Sequence, residues 1–294
     1  MSHHLDEFAL KFTGHPRIPL SLRRKLARLC FRLDGREFTI EIDDRPFSGA
    51  LDNYIEWVVF TTRQYYEYTY LNLVRSLVGG GSALDIGANI GNHTHAFAGF
   101  FDEVLSFEPF DQVAVRLERK AALLPNVSVF RVALSDRNDT LQFTRPVTAN
   151  WGTGKISERG DIDVPVVIGD TFIAGKHTRP VNFIKVDVEG HEMPVLRGLK
   201  KTIMCDRPVV MFEVSNALRR GDDGGLIGAY ALFPNDYLFV ALGGQTTFPL
   251  QRDVARVVRI DTDKPRLNHK ITYMLAYGPE RGFLIERGLM RRAG

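Results

Sequence analysis

The sequence feature that most constrains the fold is a strand, a tight loop and a helix start that follow one another within residues 82–94. Gly87 and Gly91 allow the backbone of the loop to turn sharply and to approach a ligand closely. Asn89 lies between them and is one of the few non-glycine residues that tolerate a left-handed conformation. The pattern therefore predicts a ligand-binding loop after a strand of a parallel sheet.

Short apolar runs alternate with helical patterns from Ser82 onward, which is typical of βαβ crossovers and a parallel sheet. The first of these helices is expected to be capped by Asn92 or Thr94. After Gly243 the chain is richer in strands and turns than in helix, so the sheet is expected to finish with an antiparallel edge. The predicted strands are Ala83–Ile86, Glu103–Phe107, Val127–Ala133, Phe183–Val188, Val209–Val214, Tyr237–Ala241 and Ile271–Ala276.

Three elements are predicted ahead of the sheet. Arg17–Arg32 has the pattern of a basic helix with a partial leucine stripe. This helix is expected either to dock with its charged face in solvent or to meet an anionic surface, such as the periphery of a membrane. Arg32–Ile42 has the pattern of a β-hairpin with Asp34-Gly35 at its turn. Gln64–Val78 has that of an aromatic-rich helix that ends at a run of glycines.

The composition limits the classes of protein to be considered. The 294 residues carry a formal net charge of +3, an excess too small to indicate a nucleic-acid-binding protein by itself. Only two cysteines occur, Cys30 and Cys205, which gives neither a disulfide framework nor a zinc knuckle. Residues 1–14 contain no apolar stretch of signal-peptide length, and no apolar run approaches the ~20 residues that span a bilayer. We therefore expect a soluble, cytoplasmic protein.

Two classes of ligand fit a glycine loop of this kind. A dinucleotide requires the pattern G-x-G-x-x-G, but Asn89 and Asn92 occupy the second and third glycine positions. Asp85 at the start of the loop would repel a pyrophosphate and suits a ligand with an ammonium and a sulfonium, as in S-adenosylmethionine. Glu108, about 20 residues after the loop, lies where an acid commonly accepts hydrogen bonds from ribose hydroxyls.

Two further segments are candidates for ligand contact. Ser135 and Asp136 follow the third predicted strand, at the end that would face the adenine of such a ligand. Asp136 either accepts a hydrogen bond from the exocyclic amine or merely ends the strand. Trp151 lies in a polar, glycine-containing stretch over residues 148–160, where it is expected either to contact a substrate or to anchor the loop.

Charged residues alternate with apolar ones in a predicted central strand. Lys185, Asp187 and Glu189 are placed at the carboxyl end of this strand, where buried charges are costly unless they contact a ligand. Asp187, Glu189 and His191 are candidates for a general base, although His191 is also a candidate cap of the next helix. A Mg²⁺ or Mn²⁺ site formed by these residues with Glu213 is a less favoured alternative, because neighbouring strand positions do not all face one ion without a bend.

Three stretches together resemble the FkbM family of methyltransferases: Asp85–Thr94 (DIGANIGNHT), Phe107–Pro109 and Phe183–Gly198 (FIKVDVEGHEMPVLRG). The resemblance extends from Tyr66 to Val214. It implies a class I methyltransferase fold: α/β, with a Rossmann-like, seven-stranded, mostly parallel sheet and helices on both faces. It also implies S-adenosylmethionine as the methyl donor and O-methylation of hydroxyls on sugars, glycolipids or polyketides.

These expectations define the domains and the site. Residues 1–60 are predicted to form an N-terminal extension connected with substrate choice, and residues 61–294 the donor-binding domain. The resemblance also implies that Glu67 lies near the donor. Catalytic roles are predicted for Asp187, Glu189, His191 and Lys185, and substrate contact for Trp151. The predicted donor contacts are Glu67, Asp85, Gly87, Ala88, Asn89, Gly91, Asn92, His93, Thr94, Glu108, Pro109, Ser135 and Asp136.

Three alternatives to this hypothesis are open. An N-methyltransferase acting on RNA or a small molecule would share the donor site, but the weak net charge and the absence of an Asn/Asp-Pro-Pro-aromatic motif count against it. An NAD-dependent oxidoreductase would share the fold but lacks the phosphate-binding fingerprint. A non-catalytic binding module is disfavoured by the presence of Asp85, Glu108 and Asp187. We expect a small-molecule or glycan acceptor, no nucleic acid, and S-adenosylmethionine without a divalent metal.

Overall fold

The computed structural model describes residues 18, 19, 22, 36–146, 151–243, 256–259 and 271–281, with the backbone alone for residues 256–259. The predicted basic helix over Arg17–Arg32 lies outside the described residues apart from three isolated positions, and so does the predicted turn at Asp34-Gly35. Among the residues that are described, no helix is long and apolar enough to cross a membrane.

A β-hairpin precedes the sheet and consists of β1 (Glu37–Ile42) and β2 (Arg45–Ala50). Asp43 and Asp44 form its turn with φ angles of 51° and 58°, the left-handed conformation that a type I′ turn needs at both central positions. Aspartate tolerates this conformation because its short side chain can form local hydrogen bonds. Glu37–Ile42, the last part of the predicted hairpin, is paired with β2, and the predicted turn at Asp34-Gly35 is outside the described residues.

Two helices connect the hairpin to the sheet, α1 (Tyr54–Thr62) and α2 (Tyr68–Leu77). Arg63 and Glu67 lie between them with φ angles of 58° and 60°, which interrupt any right-handed helix. The helix predicted over Gln64–Val78 therefore exists but begins four residues later.

In the described ranges the central sheet has eight strands, in the order β13-β12-β14-β11-β10-β3-β4-β5. Strands β11, β10, β3, β4 and β5 follow one another in the sheet and are parallel. Strand β14 is antiparallel to both of its neighbours, and β13 is antiparallel to β12. A mostly parallel α/β sheet and an antiparallel end are thus confirmed, with one strand more than the seven expected. The strands are β3 (Ser82–Ile86), β4 (Glu103–Phe107), β5 (Val127–Phe130), β10 (Val181–Val186), β11 (Val209–Glu213), β12 (Leu238–Gly243), β13 (Arg256–Arg259) and β14 (Ile271–Tyr277).

The described residues also form a second sheet, with four strands in the order β6-β9-β7-β8. The strand predicted over Val127–Ala133 is divided between the two sheets, because its first part pairs with β4 and Ala133 already belongs to β6. The strands of the second sheet are β6 (Ala133–Ser135), β7 (Asp139–Thr144), β8 (Lys155–Ile156) and β9 (Ile162–Ile168).

Both faces of the central sheet are covered, as expected for parallel strands. Phe183 of β10 packs in one apolar cluster with Phe47 and Trp57 from the hairpin and α1. The next residue, Ile184, packs on the opposite face in a second cluster that includes Leu196. The described part of the N-terminal extension thus shares one core with the sheet. The remaining helices are α3 (Asn92–Phe97), α4 (Asp111–Ala121), α5 (Gly169–Ile173), α6 (Glu192–Gly198), α7 (Lys200–Asp206), α8 (Asn216–Arg220) and α9 (Gly225–Tyr230).

Candidate active site

A cavity of about 280 Å³ opens at the carboxyl ends of β3, β4, β10 and β11. The order of the strands reverses between β3 and β10, the position at which open α/β sheets bind ligands. Further walls come from α1, the α1–α2 connection, the segment 151–156 and β14. Of the predicted site residues, the cavity is lined by Glu67, Gly87, Ala88, Asn89, Asn92, His93, Glu108, Pro109, Trp151, Lys185, Asp187, Glu189, His191 and Glu213.

The glycine loop has the predicted backbone. Gly87 and Gly91 have φ angles of 77° and 84°, and Asn89 has a φ of 50°. A Cβ atom on Gly87 would lie 1.9 Å from the carbonyl oxygen of Asp187, a distance that no substitution can accommodate without moving the backbone. Glycine at this position therefore lets the loop after β3 pack directly on the end of β10.

Five of the predicted donor contacts lie behind the cavity wall: Asp85, Gly91, Thr94, Ser135 and Asp136. Asp85 is completely buried, and its Oδ2 accepts a hydrogen bond from the Thr94 hydroxyl at 2.6 Å. Its Oδ1 lies 3.6 Å from the Lys185 Nζ. The Asp85 carboxylate thus contacts Thr94 at the start of α3 and the Lys185 ammonium, and it does not face the cavity.

Neither residue predicted to cap α3 does so. Thr94 is engaged by Asp85, and the helix begins after Gly91 without a side-chain cap. Asn92 instead fastens the α1–α2 connection to the glycine loop, since its Oδ1 accepts from the Tyr66 N–H and its Nδ2 donates to the Tyr66 carbonyl, both at 3.0 Å. This clamp places Tyr66 and Glu67 on the cavity wall.

Glu108 lies at the end of β4, where an acid that binds ribose was predicted. Its carboxylate accepts the N–H of Asn89 and the N–H of Phe110, each at 3.0 Å. Burial raises the pKa of Glu108 to about 7, against the lowering effect of these two backbone donors. The Glu108 carboxyl is therefore fixed to the glycine loop and lines the cavity from that position.

Lys185 and Asp187 form a buried ion pair at the end of β10, with 3.1 Å between Nζ and Oδ2. Burial opposes the charge on both groups, but the carboxylates around Lys185 raise its pKa above the ordinary value. Burial likewise opposes ionisation of Asp187, but Lys185 and His93 hold its pKa below the usual range. Both groups are therefore charged at neutral pH.

Tyr273 of β14 connects this ion pair to the α1–α2 connection. Its hydroxyl lies 2.9 Å from the Glu67 Oε2 and 3.0 Å from the Asp187 Oδ2. His93 Nε2 lies 3.3 Å from the same Glu67 oxygen, in an orientation that does not make a hydrogen bond. Tyr273 carries no local motif, and only the insertion of β14 next to β11 brings it here, so the sequence did not predict it.

Two further acids of the cavity, Glu189 and Glu213, have raised pKa values. Partial burial and the charges of Asp187 and Glu192 raise the pKa of Glu189, which lies at the cavity rim, to about 7. Burial and the charges of Asp187 and Glu189 raise the pKa of Glu213 to about 9. The Glu213 Oε2 is buried without a hydrogen-bond partner. Glu213 is therefore a neutral carboxylic acid at neutral pH, and Glu189 changes its charge there.

His191 takes the position of the residue before α6, as one of its two predicted roles requires, but its side chain does not cap the helix. The ring Nε2 lies 3.0 Å from the Ser135 hydroxyl oxygen. Burial lowers the pKa of His191 to about 4. Asp136 is turned toward α6, where it accepts from Arg197 Nε at 2.7 Å.

The predicted strand over Phe183–Val188 ends at Val186, so Asp187 and Glu189 lie on a bend and not in a continuous strand. Glu189 and Gly190 have φ angles of 52° and 109°. Even with this bend, no group of three or more histidine, cysteine or acidic residues has a metal-binding arrangement in the part of the chain that the structure describes.

A match to the Methyltransferase FkbM domain covers residues 85–239, more than half of the chain. The chain belongs to the FkbM methyltransferase family. This family membership agrees with the loop, the acid after β4 and the charged end of β10, which all lie within the matched residues. An NAD-dependent oxidoreductase does not fit this family membership.

Among characterised relatives, hexuronic acid methyltransferase AglP of Haloferax volcanii is 32% identical over 129 residues, which cover 43% of this chain and 53% of AglP. The chain thus spans about half the length of the curated relative that it matches. A crystal structure of methyltransferase FkbM from Methylobacillus flagellatus is 18% identical, with a TM-score of 0.47 over 72% of this chain and 46% of that chain. O-methyltransferase TomG from Streptomyces achromogenes is 13% identical, with a TM-score of 0.39 over 71% of this chain and 78% of that chain.

Proposed function

We propose that this FkbM-family chain transfers a methyl group from S-adenosylmethionine to a hydroxyl group of a sugar. The observation that carries the proposal is the acidic lining of a single cavity at the ends of the parallel strands, to which Glu67, Glu108, Asp187 and Glu189 contribute. Such a lining complements a ligand that carries an ammonium and a sulfonium. It repels the pyrophosphate of a dinucleotide.

The residues of the cavity fit this donor. Gly87 leaves the loop without a side chain where it packs on Asp187, and Glu108 presents a carboxyl whose oxygens can accept further hydrogen bonds from ribose hydroxyls. Glu67 and Asp187 add two more carboxyl groups to the lining of the same cavity. When bound, S-adenosylmethionine supplies a methyl group on a positively charged sulfur, which an acceptor oxygen can attack.

Glu189 is the proposed general base for the acceptor hydroxyl. A base is most effective when its pKa lies near the working pH, and Glu189, with a pKa of about 7 at the cavity rim, meets this condition. The other candidates are less suited. His191 has a pKa of about 4 and faces the Ser135 hydroxyl, and the Asp187 Oδ2 is occupied by Lys185 and Tyr273.

A sugar is proposed as the acceptor because the similarity to a hexuronic acid methyltransferase extends over 129 residues at 32% identity. Aromatic side chains on the cavity wall, among them Trp151, support the same choice, since aromatic rings stack on the apolar faces of sugar rings. Methylation of an amine on RNA or on a small molecule is the second candidate, because it would use the same donor site.

Two measurements test the proposal. S-adenosylhomocysteine is expected to raise the melting temperature of the protein, whereas NAD is expected to leave it unchanged. Incubation with S-adenosylmethionine and a panel of methyl glycosides, polyols and amines should then give a mass gain of one methylene on a hydroxyl of a glycoside. If an amine or a carboxylate gains this mass and no hydroxyl does, the O-methylation proposal is wrong.

A further inference from the structure

Tyr54 is a large side chain that remains 36% exposed while it lines the active-site cavity. It is the first residue of α1, in the segment that connects the hairpin to the sheet and precedes the residues matched by the family domain. Single exposed aromatic residues are common on protein surfaces and need no explanation. Tyr54 differs because its exposed ring shares a cavity with Glu189, the proposed base.

The backbone around Tyr54 is rigidly held. The Asn53 side-chain oxygen accepts the N–H groups of Ile55 and Glu56 at 2.9 and 3.2 Å, which fixes the first turn of the helix. On the other side, Asp52 receives two hydrogen bonds from the Arg116 guanidinium at 2.8 and 2.7 Å. Tyr54 therefore presents its ring from a preorganised support, so little ordering is needed when a ligand binds.

Two other aromatic rings on the cavity wall lie close to the same region. The Tyr66 ring contacts the Tyr54 ring edge to face, with 6.2 Å between centroids and 75° between planes. Trp151 is stacked against Arg116, whose Cζ lies 4.3 Å from the ring centroid. Arg116 is the residue that Asp52 binds, so Trp151 is connected to the start of α1 through two contacts. We call Tyr54, Tyr66 and Trp151 the aromatic wall.

The chemistry of the aromatic wall favours a carbohydrate. A pyranose ring has an apolar face of C–H groups and a periphery of hydroxyls, so it gains from a flat aromatic surface beside polar groups. Sites for such ligands combine aromatic surfaces with a few polar groups that fix orientation. The acids at the ends of β10 and β11 supply these polar groups in this cavity.

We propose that Tyr54 determines acceptor specificity by contacting the face of the acceptor's sugar ring, with Tyr66 supporting it. This inference rests on the proposed methylation of a sugar hydroxyl. Tyr54 is not among the residues assigned to the donor, which lie on the glycine loop, β4, the end of β10 and, for Glu67, the α1–α2 connection. The loss of its ring therefore affects the acceptor and leaves donor binding unchanged.

The test compares Tyr54→Ala with Tyr68→Ala. Tyr68 is a suitable control because it is also the first residue of its helix, is 40% exposed and lies off the cavity wall. Steady-state kinetics are measured with the methyl glycoside that the wild type methylates, and S-adenosylhomocysteine affinity is measured by calorimetry. We expect Tyr54→Ala to raise the acceptor KM roughly 3- to 10-fold, as for the loss of one aromatic stacking contact, with unchanged donor affinity. Tyr68→Ala should change neither quantity.

Two additional measurements separate stacking from a general structural effect. Tyr54→Phe keeps the ring and should restore the acceptor KM. Saturation-transfer NMR of the methyl glycoside on the protein loaded with S-adenosylhomocysteine should lose signal in Tyr54→Ala without any turnover. The inference is wrong if Tyr54→Ala weakens S-adenosylhomocysteine instead, or if its acceptor KM equals that of Tyr68→Ala. If the wild type methylates no glycoside, the proposed function itself has failed, and this is visible before any variant is compared.

Discussion

Removal of the Tyr273 hydroxyl tests whether the contacts of this side chain set the charge state of the active site. The hydroxyl has one proton and lies within 3.0 Å of both Glu67 and Asp187, so it donates to one carboxylate at a time. Tyr273→Phe preserves the buried ring and its edge contact with Tyr70 at 5.2 Å. The substitution therefore removes a donor from two carboxylates and little else.

The magnitude follows from these contacts. A hydrogen bond to a charged group contributes about 1.5–3 kcal/mol. Because the Tyr273 hydroxyl shares its one proton between two carboxylates, each of them gains about 1 kcal/mol. Since one pKa unit corresponds to about 1.4 kcal/mol, the pKa of Asp187 should rise by roughly 0.5–1 unit. Lys185 still faces Asp187 at 3.1 Å, so the carboxylate stays ionised at neutral pH. The sign is upward because the charged form alone loses a donor.

The assay is an NMR titration of the Asp187 carboxyl, whose midpoint should move to higher pH in Tyr273→Phe. A depressed pKa contributes stability that is present above the unfolded-state pKa and is lost as the pH falls through the folded-state value. Urea unfolding should therefore show a larger destabilisation at pH 7 than at pH 3. Tyr237→Phe is the control, because that hydroxyl donates to the Pro208 carbonyl at 2.8 Å, away from the cavity. An unmoved Asp187 midpoint, or an equal destabilisation at pH 7 and pH 3, would refute the reasoning.

Three further predictions concern other parts of the site and its support. Gly87→Ala places a Cβ 1.9 Å from a backbone oxygen at a φ of 77°, so it should lose about 2–4 kcal/mol of stability by chemical denaturation and weaken S-adenosylhomocysteine binding in calorimetry; unchanged binding would contradict the close packing of the loop. Glu189→Gln should lower kcat roughly 10²- to 10⁴-fold with donor affinity retained, whereas Glu158→Gln, an exposed acid off the cavity wall, should not. Lys120→Met leaves the buried Glu56 without its ammonium partner, so urea unfolding should show a loss of about 3 kcal/mol in stability. Adding Glu56→Leu to the same chain should restore part of this loss. A double variant no more stable than Lys120→Met would show that the ion pair is not the cause.

The architecture could be predicted from the sequence because its signals are local. Apolar runs that alternate with helical patterns indicate parallel strands, and the loop after β3 needs glycine both for its positive φ and for the approach of Asp187. The prediction was wrong where pairing between segments decides the outcome, as for Val127–Ala133, which is divided between two sheets. The turn at Asp43 and Asp44, which the sequence analysis did not predict, joins two strands whose apolar residues pack in one cluster with the sheet.

The candidate site could be predicted in part for the same reason. Residues on the glycine loop and at the end of β10 are recognisable by spacing, but Tyr273 reaches Glu67 across 206 residues of sequence. Tyr54 and Tyr66 likewise join the cavity only through the packing of α1 and the Asn92 clamp. No periodic pattern in the sequence indicates contacts between residues so far apart along the chain.

The sequence alone determined the family and the positions at which carboxylates follow the parallel strands, since these depend on backbone conformation and on strand direction. Only the tertiary structure decided what each carboxylate does. Asp85 lies behind the wall and balances the charge of Lys185, and Asp187 is held ionised. Glu213 keeps its proton at neutral pH, whereas Glu189 changes its charge there. The physical reason is that the proton affinity of an acid depends on its burial and on neighbouring charges, which here come from different strands.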